Sequence, residues 1–178
     1  MIGLLLASAL LFGGVEAAPP PPGQTVVIAD SCSPGLSDPR TFVAATYARY
    51  QANPNEPPRD RTCAYSRRLG RLFAAYESWQ RAHSDEVGTL DFDWWTNAQD
   101  YQIRNLSYRV IDEGPNLRWI IARFDNYDRH DEIRFRFVRE GRRFGREGQR
   151  WYLDDAMEGS GSGDNGWTLS ALLQNPAG

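Results

Sequence analysis

The sequence predicts an α+β domain: N-terminal helices packed on one face of a curved antiparallel sheet of about four strands, cone-shaped, with a short C-terminal helix. Three observations carry this expectation. Apolar residues in the first half recur at helical spacing. From Leu106 onward the period drops to two. The alternating segments are joined by turn-forming stretches, as in a meander. The 178 residues, 41% hydrophobic and 24% charged, suit one domain with a core of useful size.

Residues 1–17, MIGLLLASALLFGGVEA, read as a signal peptide. Ile2 to Phe12 is apolar, Gly13 and Gly14 break the run, and Val15, Glu16 and Ala17 supply a cleavage region. No Lys or Arg precedes the run, so the α-amino group is the positive charge there. The run is too short to span a bilayer comfortably, so no stable membrane anchor remains after cleavage. The mature chain is then periplasmic or secreted. Residues 18–37 form a Pro-rich arm, with Thr25 to Ile28 as a short edge strand. Residues 38–178 form the single α+β domain.

The two cysteines, Cys32 and Cys63, are candidates for one disulfide in an oxidising compartment; two separate buried thiols are the alternative. Together with the distant His83 and His130 they lack zinc-ligand spacing, so no metal or cofactor is expected. The net charge of -3 is too mild to imply a nucleic-acid partner. All 20 basic residues are Arg, whose forks pair bidentately with carboxylates.

Asp38 and Pro39 open the first helix, Asp as cap and Pro in the first turn. Val43, Tyr47 and Tyr50 follow on one stripe, and Pro54 ends it. The second helix runs from about Tyr65 to His83. Leu69, Leu72, Phe73 and Tyr76 mark its buried face; Arg67, Arg68, Arg71 and Arg81 mostly mark the other.

Leu106, Tyr108 and Val110 then alternate with Ser107 and Arg109 as a first strand. A turn at 113–116 leads to a second strand, Leu117 to Phe124. Residues 125–131, DNYDRHD, read as a polar connection. The third strand is the clearest: Ile133, Phe135 and Phe137 face one way, Arg134 and Arg136 the other. The arginines face either the outer surface or the pocket, since either face can be polar. A Gly- and Arg-rich link at 140–149 precedes the fourth strand, 150–157. GSGSGDNG at 159–166 is flexible in this reading, and 167–174 is the closing helix.

LDFDWWTNAQDY (90–101), then a meander, WYLDDAMEG (151–159) and WTLSALL (167–173) together resemble an exported bacterial family known as domain of unknown function 3828. That family is grouped with the nuclear-transport-factor-2-like, or cystatin-like, α+β cones. The resemblance covers about Thr41 to Leu173. It implies export and a fold but no established activity. The chain departs in carrying Trp94 where relatives often have Pro, and in the long link before Trp151.

The 90–101 stretch admits four readings. As a cation site, Asp91, Asp93 and Asn97 or Asp100 supply oxygen ligands, but the Gly and distal Glu of a calcium loop are missing. As a catalytic pocket, Asp93 or Asp100 is the general base, with Tyr47, Tyr65 or Asn97 as oxyanion donors and Asp154 or Asp155 as a second carboxylate. As a structural corner, Leu90, Phe92 and Trp95 face the core. Asp100 then accepts from Arg104 or Arg150, and Asn97 and Gln99 satisfy the sheet end. As a binding surface, Trp94 and Trp95 are anchors beside the polar candidates. The stretch is expected to be chiefly a fold-defining corner whose exposed acids, Asp93 and Asp100, rim a pocket.

The functional expectation is an exported, non-catalytic binding module for a small molecule or an envelope protein. The alternative is an isomerase, lyase or hydrolase using an Asp general base.

Overall fold

The computed structural model describes residues 35–53, 62–141, 150–159 and 166–178. The expected signal peptide, most of the expected Pro-rich arm with the strand expected at Thr25–Ile28, and Cys32 lie outside these residues. So do the 54–61 loop, the 142–149 link and the 160–165 stretch.

Among the described residues, two α-helices precede four strands and a last short helix. Helix α1 spans Pro39–Ala52. Asp38 caps it, accepting from the Arg40 and Thr41 amides and from the Thr41 hydroxyl. This offsets orphan donors that the first turn cannot satisfy internally. Val43, Tyr47 and Tyr50 are buried as expected. A 3-10 turn, Thr62–Ala64, leads into α2, Arg67–Ala82. Ser66 caps α2 by accepting from the Leu69 amide at 3.0 Å. Leu69 and Tyr76 are buried, whereas Leu72 and Phe73 are half-buried and pack against the core margin.

The strands are β1 (Ile103–Asp112), β2 (Leu117–Asn126), β3 (Arg129–Glu140) and β4 (Arg150–Glu158). They form one open antiparallel sheet in sequence order. Helix α3, Leu169–Gln174, follows. The polar connection expected at 125–131 is instead a tight hairpin. Asn126 pairs with Arg129, leaving Tyr127 and Asp128 as the turn, with Tyr127 at φ +55°. Polar residues concealed the strand ends because both ladders run past the core.

Cross-strand partners share a face. Ile120, Phe135, Phe137 and Leu153 are fully buried on the face that α1 covers. Tyr47 meets Phe124 and Phe135 with ring centroids 5.3 and 6.2 Å apart, and Phe42 meets Phe137. Arg134 and Arg136 alternate with this set, so they lie on the opposite, open face.

The free side of β4 is touched by bridges at Leu36–Trp151, Tyr65–Leu153 and Met157–Thr168. An exposed edge would invite foreign strands, and these segments cover it. Gly35, at φ +74°, lies so close that a β-carbon would sit 2.5 Å from Arg150 Cβ and 2.6 Å from the Tyr152 ring. Among the described residues, no helix is long and apolar enough to cross a membrane.

Candidate functional site

The 90–101 stretch folds as a closed corner. The Asp93 amide donates to the Ala98 carbonyl at 3.0 Å, and the Thr96 amide donates to the Asp93 carbonyl. Asp93 Oδ1 accepts from the Trp95 amide at 2.9 Å, the two-residue reach typical of an Asp turn. Asn97 takes the left-handed conformation, φ +54°, which Asn tolerates better than most residues.

Asp93 is half-buried and aims inward, not onto a rim. Its Oδ2 accepts from the Tyr50 hydroxyl at 2.5 Å. Burial raises its carboxyl above the ordinary value, although the Tyr50 and backbone hydrogen bonds pull the other way. Burial, then the adjacent Asp93 charge, pushes Tyr50 far up. Tyr101 stands edge-on to Tyr50 with centroids 4.9 Å apart, and its buried hydroxyl has no partner. Burial and the Asp93 charge raise Tyr101 as well.

Asn97 is the corner's hub. Its Oδ1 accepts from the Trp167 indole at 2.7 Å, and its Nδ2 donates to Asp131 at 3.1 Å. Arg129 donates to the Asn97 carbonyl and to Asp131. Asn126 accepts from the Gln102 amide and donates to the Thr96 carbonyl. The corner is thereby tied to the β2–β3 hairpin and to the approach to α3. Leu90 and Phe92 pack against the core, as the corner reading requires.

The remaining candidates disperse. Tyr47 is fully buried, and its hydroxyl donates to the Trp95 carbonyl at 2.7 Å. It is not free to face a substrate. Trp94 and Trp95 are core residues, 7% and 9% exposed, so neither is a surface anchor. They pack against Phe135 because the corner closes the covered side of the sheet. Tyr65 stacks on Phe73, centroids 5.0 Å apart. Asp91 and Gln99 are exposed, joined only by Gln99 Nε2 donating to the Asp91 carbonyl. Asp100 is exposed and makes no hydrogen bond or ion pair; Arg104 donates instead to the Tyr127 carbonyl. Among the described residues no three His, Cys, Asp or Glu side chains are placed to hold a metal ion.

Asp154 and Asp155 are buried at an irregularity where β4 carries one extra residue against β3. Asp154 accepts from the Ser66 hydroxyl at 2.6 Å, from Arg68 and from Arg136. Burial alone would raise Asp154; the Arg68, Ser66 and Arg136 hydrogen bonds outweigh it and hold the carboxyl below its ordinary value. Asp155 accepts from the Ser170 amide and hydroxyl at the start of α3. Arg68, expected on the solvent face of α2, reaches over to both carboxylates. This cluster joins α2, β3, β4 and α3; it does not approach Asp93 in any hydrogen bond.

The open face of the sheet carries a different pattern. Rows across the strands read Arg109–Ile121–Arg134–Met157, Ile111–Trp119–Arg136–Asp155 and Leu117–Val138–Tyr152. Leu117, Trp119, Val138 and Tyr152 are half-buried although α1 packs on the other side. Sequence reasoning left this face open because Arg134 and Arg136 had two possible sides. The odd-numbered apolar residues of β2 were its available signal.

Cys63 sits in the 3-10 turn, and among the described residues there is no free cysteine. No family model matches the chain, and no curated protein or solved structure matches it.

Proposed function

We propose that the chain is an exported envelope protein that binds a protein partner through the open face of its sheet and does no chemistry of its own. Residues 1–17 are a cleaved signal peptide in this reading, and Cys32 pairs with Cys63. Two helices before a four-strand antiparallel meander support a nuclear-transport-factor-2-like cone of the exported family named above.

The observation that carries the reading is the open face itself. It holds Leu117, Trp119, Val138 and Tyr152 half-exposed beside arginines. Aromatic residues and Arg are the types that concentrate binding energy at interfaces. The acids that had been candidates for catalysis are engaged internally or stand in solvent without a partner.

Native mass spectrometry of the mature protein from its own envelope fraction tests this. The expected result is a co-purifying protein that is lost in Trp119→Ala while the Tm holds. A bare chain, or a small co-purifying mass that Trp119→Ala leaves in place, would count against it.

The second reading is an Asp-dependent isomerase, lyase or hydrolase. Its specific support is the raised Asp93 carboxyl with the unpartnered Tyr101 hydroxyl at its flank. A base of this kind needs a lone pair open to substrate, whereas both Asp93 oxygens already accept. Any turnover by the mature protein that Asp93→Asn abolishes without unfolding it would put this reading first.

A further inference from the structure

We infer that the partner presents a carboxylate-rich protein surface, gripped at its margins by Arg109 and Arg150 around an apolar centre at Leu117, Trp119 and Val138. The inference rests on the proposed use of the open face. It follows from how that face's charges are already matched. Glu132 accepts from both Arg123 and Arg134. Asp125 is taken by Asn105 and His130. Arg136 is held by Asp154. Asp155 is held by Arg68 and Ser170. Arg109 and Arg150 remain: both are exposed, and neither makes an ion pair.

These two guanidiniums stand at opposite corners of the patch. Strand spacing and rise place their Cα atoms roughly 25 Å apart, too far for one small anion to bridge. The occupant is therefore macromolecular. A second copy is disfavoured, because a two-fold contact would lay unpaired arginines against a face whose own carboxylates are engaged, Glu140 beside Arg150 being taken by Arg67. A phosphate backbone or lipid headgroup layer is disfavoured by the apolar centre, which sets Leu117, Val138 and the Trp119 ring where the anions would lie. A protein surface supplies both parts at once: apolar side chains for the centre and carboxylates for the two forks.

The test places a photo-cross-linking benzoylphenylalanine at Val138 of the full chain in its producing cell. It is run in the parent and in Arg109→Glu/Arg150→Glu, with circular dichroism confirming that the exposed substitutions leave the fold intact. The expected result is a protein adduct whose captured peptide is rich in Asp and Glu. Charge reversal should reduce its yield about tenfold or more, since like charges facing each other at a rim chiefly slow association. An adduct of undiminished yield in the charge-reversed chain keeps the open-face reading and overturns this inference. No protein adduct overturns both. A self-adduct, a lipid adduct, or one that forms only after residues 18–31 are deleted also overturns the inference, assigning the face to a second copy, a membrane or the chain's own arm.

Discussion

The Tyr50 hydroxyl, near the end of α1, donates to Asp93 in the corner at 2.5 Å, across 43 residues of sequence. This one bond fixes the corner to the first helix and gives a buried carboxylate its side-chain donor.

Tyr50→Phe should therefore destabilise the fold by about 1–3 kcal/mol, the usual consequence of leaving a buried acceptor short of a partner. The same substitution removes a hydrogen bond that lowers the Asp93 carboxyl, so Asp93 should titrate higher still. Urea unfolding reads the first effect, and carboxyl-detected NMR reads the second. An unchanged Asp93 titration would show that the bond does not form in solution.

Asp154 should give the fold an acid-sensitive component. Its folded value lies below the ordinary 3.8. Its stabilisation is thus fully present well above 3.8, declines as pH falls through that value, and is gone below the depressed folded value. Asp93 has the opposite sign. Its raised folded value means that its charged form is disfavoured by folding, so its contribution falls as pH rises through the interval above 3.8. Asp154→Asn should be markedly destabilised at pH 7, with the gap to the parent closing as pH falls below 3.8. Denaturant midpoints across that range measure it; a gap independent of pH would refute the assignment.

Asn97 and Asp100, three residues apart, should behave in opposite ways. Asn97→Ala loses partners in Trp167 and Asp131 and must hold a left-handed backbone, which together should cost about 2–4 kcal/mol. Asp100→Ala should stay within about 0.5 kcal/mol, as an exposed side chain without partners does. Thermal unfolding of the two variants is sufficient. A large loss for Asp100→Ala would reveal a contact formed only in solution.

The Cys32–Cys63 pairing predicts that the oxidised mature protein, fully denatured, takes up no maleimide. After reduction it should take up two equivalents, one for each cysteine in the chain. Reactivity before reduction would leave the cysteines as separate thiols.

Much of the fold was legible because its signal is local. Asp38 followed by Pro39 marks a helix start whatever surrounds it. The alternation of Ile133, Phe135 and Phe137 with Arg134 and Arg136 specifies a strand with one buried side. The β2–β3 hairpin was less legible. Asn126, Arg129 and Asp131 look like loop residues, yet they sit in the ladder because the corner supplies their hydrogen bonds. The 90–101 stretch folds as the corner its residues suggest, and Asp100 is exposed as expected, but Asp93 turns inward. Composition shows that Asp93 and Asp100 are both carboxylates beside aromatics; it does not show that one turns inward and the other outward.

By itself, then, the sequence determined the α+β order, the cap of α1, and which strand positions are apolar. These depend on spacing along the chain and on propensities of single residues. Only the tertiary structure decided that Tyr50 holds Asp93, that Ser66 and Arg68 hold Asp154 from 88 and 86 residues away, and that Arg134 and Arg136 lie on the sheet face opposite α1. Those outcomes require distant segments to meet. A carboxylate's role is set by the donor that packing delivers to it, and that donor leaves no periodic trace in the chain.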